Sequence, residues 1–577
     1  MNILGISCFY HDASASLIRD GKLIAAAEEE RFTRKKHDIN FPINAIKYCL
    51  KEGEITIDEV DFIGFYEKPL IKFERILYSH LEMFPRSFPV FLKSIPSWLN
   101  EKLNVRDIIK KKLNYKGEIF FIEHHEAHAA SAFLVSPFKE AAILTIDGVG
   151  EWATTTLGLG KENKIKIFKE IHFPHSLGLL YSTVTSYLGF KVNNDEYKVM
   201  GLAGYGDPKY IENFKKIIDI KDDGSFKLDM SYFVFHYKER MPSKKFIKEF
   251  GPMRHKDEKI NQRHKDIAAS LQNITEEVIF NLLRQLYKET KLKNLCMAGG
   301  VALNSVANGK IIKKTPFKKV FIQPASSDAG TSLGAAFYIY NSIFRKKRKF
   351  VMEHAYWGPE FKTNEIRKFL INKKINFFEF DNDDELLKKT AELIFKNKII
   401  GFFQGRMEWG PRALGNRSIL ANPCNPKMKD ILNKKVKHRE DFRPFAPVVT
   451  IEDFKDYFEA ELPDPFMLFV YPIKNEKRKL IPSVTHIDGT GRIQTIEKSQ
   501  NPRYYKLIKE FEKLSGVPIL INTSFNIKGE PIVCTPEDAY KCMMGTGIDY
   551  LVIDKFLIAK KDNPKDIWDS SINSERS

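Results

Sequence analysis

The stretch Asn2-Ile3-Leu4-Gly5-Ile6-Ser7-Cys8-Phe9-Tyr10-His11-Asp12-Ala13-Ser14-Ala15-Ser16-Leu17-Ile18-Arg19-Asp20-Gly21-Lys22-Leu23-Ile24-Ala25-Ala26-Ala27 decides the fold. It reads as three strands, Ile3 to Phe9, Ala13 to Ile18 and Leu23 to Ala27, with Asp20-Gly21 as the tight-hairpin turn between the last two. The pattern returns at Ala141 to Ile146, Ala153 to Leu159 and Ile165 to Ile171. In both copies the first strand runs into an aspartate beside small residues, Asp12-Ala13-Ser14 and Asp147-Gly148-Val149. A repeat of this kind, each copy followed by alternating helices and strands, predicts two α/β halves with a cleft between them. Ile267, Leu271, Ile274, Val278, Leu282 and Leu286, three or four residues apart, place a long helix in the second half.

Working outward, the basic run Arg345-Lys346-Lys347-Arg348-Lys349, followed by Gly358-Pro359, marks a boundary that divides the chain into residues 1–355 and 356–577. Beyond it a helix is predicted near Leu386 to Phe395 and strands at Ile399 to Phe403 and Val517 to Ile521. The loops between them are dense in Gly, Pro, Asn and Arg, and such loops on a rigid scaffold are where binding groups lie. The tail after Asp562 is too polar to be core.

A chain of 577 residues is too long for one small module, and 43% hydrophobic with 29% charged residues excludes a disordered or collagenous chain. The six cysteines are scattered with no CxxC pair, so neither a disulfide framework nor a zinc ribbon is expected, and a reducing compartment fits. The net charge of +18 comes from lysines in short pieces along the whole chain, which reads as a solvated surface rather than a nucleic-acid footprint. No apolar run reaches the roughly 18 residues of a membrane span, and the N-terminus opens directly as a strand. A cytoplasmic protein with no membrane partner is expected.

Three groups of residues can carry chemistry. In Glu123-His124-His125-Glu126-Ala127-His128, the four-residue spacing of His124 and His128 puts both on one helix face, where they can share a metal ion. Asp147 and Asp328, each following a predicted strand, supply carboxylates, and a His/Asp mixture suits iron, manganese or zinc. Gly299, Gly300 and Asn304 in one strand-to-helix turn, and Gly330 in another, belong to glycine-rich loops of the kind that receive phosphates, so a nucleotide is expected there. The third group is arginine-rich: Gly410-Pro411-Arg412-Ala413-Leu414-Gly415, Lys437-His438-Arg439-Glu440-Asp441-Phe442-Arg443-Pro444, Arg492, and Asn522-Thr523-Ser524-Phe525-Asn526. The guanidinium fork matches phosphate or carboxylate oxygens in a way lysine does not.

Taken with His11-Asp12-Ala13-Ser14-Ala15, Glu28-Glu29-Glu30-Arg31-Phe32 and Arg443-Pro444-Phe445-Ala446-Pro447, these motifs resemble, in order over nearly the whole chain, the carbamoyltransferase family that includes the nodulation-factor and antibiotic O-carbamoyltransferases. The resemblance implies an α/β protein: a duplicated actin/hexokinase-like (ASKHA) N-terminal domain, close to that of threonylcarbamoyl transfer to tRNA, and a YrdC-like α/β C-terminal domain that forms carbamoyl-adenylate. It gives Arg412, Lys437, Arg443, Arg492, Ser524 and Asn526 to a pocket for carbamoyl phosphate and ATP, and His124, His128, Asp147 and Asp328 to a divalent metal, iron in relatives, with magnesium accompanying ATP. It sets His11, with Asp12 beside it, near the acceptor hydroxyl, where an imidazole of ordinary pKa, about 6.5, could take the proton.

The implied function is ATP-dependent transfer of a carbamoyl group, by way of carbamoyl-adenylate, to a hydroxyl of a small-molecule acceptor. Two alternatives share the scaffold: a tRNA threonylcarbamoyladenosine-type modification enzyme, to which +18 would matter, and an ASKHA-fold kinase, which leaves the C-terminal arginine loops without a task. Nucleic acid is not expected as a partner, and a homodimer stands as an open expectation. Phe73 to Leu113 and Asp219 to Gly251 read as insertions able to shape a lid.

Overall fold

The computed structural model describes residues 1–563, so the polar tail lies, Asn563 apart, outside the described residues. The chain divides into two compact units, one of Met1–Glu29 and Ile39–Met352, the other of Glu30–Asp38 and the chain from Glu353 onward. The second unit thus includes a short excursion from the N-terminal sequence, which a boundary drawn in chain order does not contain.

Among the described residues the first unit has two five-stranded sheets of one design. Strands β1 (Asn2–Ser7), β2 (Ser14–Arg19), β3 (Lys22–Glu28), β4 (Phe62–Phe65) and β5 (Glu118–Phe121) lie in the order β3-β2-β1-β4-β5. The second sheet has β6 (Glu140–Ile146), β7 (Ala153–Lys161) and β8 (Lys164–His172). A separate small hairpin, β9 (Ile218–Ile220) and β10 (Phe226–Leu228), intervenes before β11 (Asn294–Ala298) and β12 (Lys319–Ile322) complete the sheet, whose order is β8-β7-β6-β11-β12. In each sheet the first three strands form an antiparallel meander, and the last two add in parallel to the first. This is the duplicated actin/hexokinase-like body, and the internal repeat in the sequence is its trace.

Local chemistry explains the details. Asp20 (φ +50°) and Gly21 (φ +79°) make the left-handed pair of a two-residue hairpin. Strand β1 ends at Ser7 rather than at Phe9, because Phe9 (φ +72°) and Asp12 (φ +42°) turn the backbone into left-handed conformations that no strand continues. The long helix, Gln262–Thr290, starts where the Asn261 side chain accepts the His264 N–H and ends at Lys291 in a left-handed cap.

The helix Asp328–Phe337 is the pivot of this unit. It lies so close on β1 that a Cβ at Gly5 would sit 1.8 Å from the Ser332 carbonyl oxygen. Where it crosses the helix His124–Phe133, a Cβ at Gly334 would sit 1.8 Å from the Ala127 carbonyl oxygen. Ser14 and Ser16 on β2 donate to the Ser332 hydroxyl at 3.0 and 3.2 Å, so even the polar groups of this seam are paired.

Among the described residues the second unit is built on one nine-stranded mixed sheet, an α/β architecture. Ile400–Phe403 pairs in parallel with Tyr550–Ile553 and antiparallel with Arg417–Ala421, which leads on to Ile519–Ser524, Ala446–Thr450, Thr490–Ile496 and Phe469–Pro472. Helices Asp383–Phe395 and Pro502–Ser515 bury Leu386, Ile394, Leu507 and Phe511 against Phe402, Leu420 and Val448 of the sheet. The excursion is held by hydrogen bonds from Arg31 to the Gly410 carbonyl (2.8 Å) and from Arg34 to the Ile532 and Pro531 carbonyls (2.7 and 2.8 Å). No helix of the described residues is long and apolar enough to cross a membrane.

The close crossing gives a stability test. Gly334→Val must push the two helices apart and costs about 1–3 kcal/mol. Gly148→Ala, whose added methyl meets nothing within 4 Å, stays within about 0.5 kcal/mol of the parent. Thermal unfolding of the two variants side by side measures the difference.

Candidate functional site

In the first unit, β5 hands over to the helix His124–Phe133 within three residues, which sets His124 in the first turn and His128 one turn later. Asp147 directly follows β6, and Asp328 opens the pivot helix after β12. These four side chains bring one donor atom each within 4.8 Å of one another. His124 Nε2 lies 3.1 Å from both His128 Nε2 and Asp147 Oδ2, and 3.7 Å from Asp328 Oδ1; His128 Nε2 lies 3.9 and 3.8 Å from the two carboxylate oxygens.

Both imidazoles are wholly buried and both leave Nδ1 without a hydrogen-bond partner among the described residues, as Asp328 leaves Oδ2. Two ring nitrogens facing each other can share at most one proton, so lone pairs converge on the centre. A first-row divalent ion with bonds of about 2.0–2.2 Å spaces its ligands by about 3.0–3.5 Å. The N2O2 donor set and its spacings therefore fit a divalent ion such as iron, manganese or zinc.

Burial alone would pull His128 down, but the facing Asp147 and Asp328 carboxylates outweigh it and hold it at about 9. Burial likewise opposes ionisation of Asp147, yet the two histidines hold its carboxyl well below the usual carboxylate range. His125, between the two ligands in sequence, is used otherwise: Nδ1 meets the Thr145 hydroxyl at 2.6 Å and Nε2 the Ala153 carbonyl at 2.9 Å.

The supports of this cluster include residues expected to face a nucleotide. The Gly300 N–H donates to Asp147 Oδ1 at 2.9 Å, which leaves Oδ2 to the histidines. Gly299 has φ +94°, and a Cβ there would lie 2.2 Å from the Ile146 carbonyl oxygen. Asn304 exchanges two amide hydrogen bonds with Gln272, both 3.0 Å, and caps the Ala307 N–H. Gly330 is buried where a Cβ would meet the Ala325 carbonyl at 2.1 Å. Glu151, which sequence reasoning missed, accepts the His124 N–H with both oxygens at 3.1 Å.

The structure alters the expected role of His11. Its Nδ1 lies 2.8 Å from Asp12 Oδ2 and its Nε2 2.8 Å from the Asn193 carbonyl, so both nitrogens face acceptors and both must donate. Burial opposes the charge, but Asp12 overrides it and lifts the imidazole to about 10. A doubly donating imidazolium has no lone pair for a proton, so His11 is a cation here and not a base of ordinary pKa. Asp12 is fixed in turn by the Ser327 hydroxyl at 2.9 Å, one residue before Asp328.

In the second unit Lys437, Ser524 and Asn526 come together. The buried Lys437 ammonium donates to Asn526 Oδ1 at 2.7 Å and to the Ser524 hydroxyl at 3.2 Å. Burial, with Arg439 and Arg443 nearby, pulls it well below the usual lysine range. Arg492 is pulled down in the same way, first by burial and then by the charges of Arg412, Arg439 and Arg443, against which the Asp464 carboxylate is the opposing charge. Arg492 Nε has no hydrogen-bond partner among the described residues. The charges of Arg412, Arg439 and Arg443 thus bear on Arg492, and those of Arg439 and Arg443 on Lys437, with the Glu440 carboxylate 3.7 Å from Arg443.

Arg439, Asp464 and His486 were not singled out from the sequence. Arg439 lies inside a quoted motif, and its Nε donates to Asn433 Oδ1 at 2.7 Å. Asp464 accepts three backbone N–H groups, while burial lifts its carboxyl to about 7. Burial pushes His486 down to about 4, and Arg492 adds to it. Arg417, by contrast, is structural: wholly buried, it donates to the carbonyls of Gln404, Gly405, Asn416 and Pro359 and stacks 3.6 Å from the Phe403 ring centroid.

Against known proteins, residues 2–337 match the family profile described as carbamoyltransferase N-terminus, and residues 391–560 the one described as carbamoyltransferase C-terminus. An uncharacterized protein of Synechocystis is 47% identical over 98% of this chain and 97% of its own length. The nodulation protein NolNO of Sinorhizobium fredii is 38% identical over 97% of this chain and 80% of its own. Among solved structures, HypF of T. kodakarensis aligns over 60% of this chain and 48% of its own at 12% identity and a TM-score of 0.33.

The cluster geometry predicts one divalent ion per chain after reconstitution with iron(II), read by elemental analysis. Substituting both ligands, His124→Gln with His128→Gln, should lower the bound ion to under a tenth, whereas His125→Gln should leave it near stoichiometric. Stoichiometric metal in the double variant would place the ion elsewhere.

Proposed function

Given that this chain belongs to the carbamoyltransferase family, and so is an enzyme that moves a carbamoyl group from a donor to an acceptor, we propose that it is an ATP-dependent O-carbamoyltransferase working in two steps. In the first, water attacks the phosphorus of carbamoyl phosphate, the phosphorus–oxygen bond to the carbamoyl group breaks, and carbamate, phosphate and a proton are released. A carbamate oxygen attacks the α-phosphorus of ATP, the bond to pyrophosphate breaks, and carbamoyl-adenylate forms. In the second, an acceptor hydroxyl attacks the carbamoyl carbon, the carbon–oxygen bond to AMP breaks, and the hydroxyl proton is released. The acceptor is a hydroxyl-bearing small molecule.

The observation that carries this reading is the crowd of like charges around Arg492. After burial, the charges of Arg412, Arg439 and Arg443 lower Arg492 and those of Arg439 and Arg443 lower Lys437, a cost that converging phosphates of ATP and carbamoyl phosphate would offset. Lys437, Ser524 and Asn526, tied by hydrogen bonds, add donors to the same pocket.

The second step is assigned to the first unit. His124, His128, Asp147 and Asp328 would hold a divalent ion, iron by the family resemblance, which supplies Lewis-acid chemistry when bound. His11, already positive, would stabilise negative charge on the departing phosphate, and the Asp12 carboxylate beside it would receive the hydroxyl proton. All six cysteines are free and five are buried, which supports a cytoplasmic setting.

The test omits the acceptor. With labelled carbamoyl phosphate, ATP and magnesium, the enzyme should release pyrophosphate and accumulate carbamoyl-adenylate. Arg443→Ala should lower this half-reaction at least 100-fold, while His124→Ala leaves it within about twofold and stops transfer alone. Absence of pyrophosphate and adenylate in the wild type would end the two-step reading.

A further inference from the structure

Much of the stretch from Phe73 to Leu113, expected from the sequence to shape a lid, lies in two helices, Pro69–Glu82 and Phe88–Asn100. Two ring contacts set them antiparallel: Phe73 lies 5.8 Å from Trp98 and His80 5.2 Å from Phe91, centroid to centroid. The polarity of the first helix is inverted. Its cations Lys72 and Arg75 are buried, while Leu70, Tyr78 and Leu81 are 73%, 59% and 66% exposed. The second helix buries Trp98 and leaves Phe88, Leu92 and Leu99 about half exposed, and Phe84 in the turn between the helices is 66% exposed.

These residues share one face. A helix turns about 100° per residue, so Leu70 and Leu81 lie about 60–80° round from Phe73, and Phe88, Leu92 and Leu99 about 60–100° round from Phe91, all in the sense of rising residue number. In antiparallel helices the same turn away from the seam points to the same side. Tyr78 widens the face at its outer edge, and Phe84 closes it at the turn, packing edge-on against Phe88 with centroids 6.1 Å apart. Exposure of half to nearly three-quarters of seven large side chains comes to roughly 800 Å², more than the roughly 300–600 Å² of the largest apolar patch on an ordinary monomer.

Area and charge say what covers it. A standard protein interface takes about 800 Å² from each partner, which this face supplies. The exposed charges of the two helices and their turn, Glu74, Glu82, Arg86 and Lys93, are two of each sign, and Lys93 is already paired with Glu239. A helix that lies on a lipid surface carries an excess of Lys and Arg on its polar side, and this pair carries none. Glu74 stands beside the apolar stripe and Arg86 in the turn, each exposed and neither in an ion pair among the described residues. A two-fold axis through the face between them brings the acid of one copy opposite the base of the other, twice over.

We propose that this face joins two copies of the chain about such an axis, with Glu74 of each copy facing Arg86 of the other. Sedimentation velocity of the full-length chain, followed from nanomolar to tens of micromolar, should show the 66.8 kDa monomer passing into a species of twice that mass. Leu81→Glu with Leu92→Glu should weaken association at least 100-fold, whereas Phe395→Glu, at an exposed position of the second unit, should leave it within twofold. Glu74→Lys and Arg86→Glu should each weaken it at least threefold by setting like charges opposite one another, and the two together should return it to within twofold of the parent. Hydrogen exchange of the unaltered chain needs no variant: amides of residues 70–99 should slow as concentration rises, and those of residues 383–395 should not.

An unaltered chain that stays monomeric throughout, or a dimer indifferent to Leu81→Glu with Leu92→Glu, would overturn the proposal. So would exchange that does not slow in residues 70–99, and this measurement decides should the double variant unfold. Failure of the paired charge changes to restore association would overturn the two-fold arrangement. A monomer that floats with vesicles of phosphatidylcholine and phosphatidylglycerol would give the face to a membrane instead.

Discussion

Four donor atoms with lone pairs cannot converge within 4.8 Å in a buried place unless the backbone beneath them is fixed first. In this protein the fixing is done by close approach. Gly334 lets the helix carrying Asp328 lie on the carbonyl of Ala127, one residue before His128. Gly299 lets the turn after β11 lie on the Ile146 carbonyl, one residue before Asp147. Glycines that look like phosphate cradles in the sequence thus set the ligand spacing, and the Gly300 N–H chooses which Asp147 oxygen is presented.

The two units handle buried charge in opposite ways. In the first, two carboxylates face two histidines, and the Asp12 carboxylate raises His11 against its burial. In the second, burial and then the charges of Arg412, Arg439 and Arg443 lower Arg492, while burial lifts the Asp464 carboxyl to about 7 against three backbone donors and the Arg492 charge. One arrangement fits a cation and the other a polyanion.

Much of this was legible in the sequence. The meander with its Asp20-Gly21 turn and its second copy gave the paired sheets, because turn chemistry and strand periodicity are local properties. The His124/His128 spacing worked because a helix makes residues four apart neighbours whatever the tertiary fold. Long-range pairing was what could not be read. His11 has an ordinary imidazole in sequence, and only the Asn193 carbonyl, 182 residues away, together with Asp12 makes it a fixed cation. Arg412 and Arg417 look alike in one loop, yet four carbonyls claim Arg417. Asp464 carries no motif, since its role is set by burial and by the backbone around it.

Chain topology adds a constraint that neither site displays alone. Residues Glu30–Asp38 fold with the second unit while the residues on both sides of them fold with the first. Arg31 donates to the Gly410 carbonyl, immediately before the Pro411-Arg412 turn, and Arg34 to the carbonyls of Pro531 and Ile532. Glu408 holds the other end of that turn, one carboxylate oxygen accepting the N–H groups of Leu414, Asn416 and Arg417. The loop that bears Arg412 is therefore braced from within its own unit and by nine residues borrowed from near the N-terminus. Arginines of like charge brought together need such bracing, because repulsion would otherwise spread the side chains and the backbone under them. The second unit is complete as a charge-bearing scaffold only when the N-terminal sequence is present, so the two units are one folding problem although they are two compact bodies.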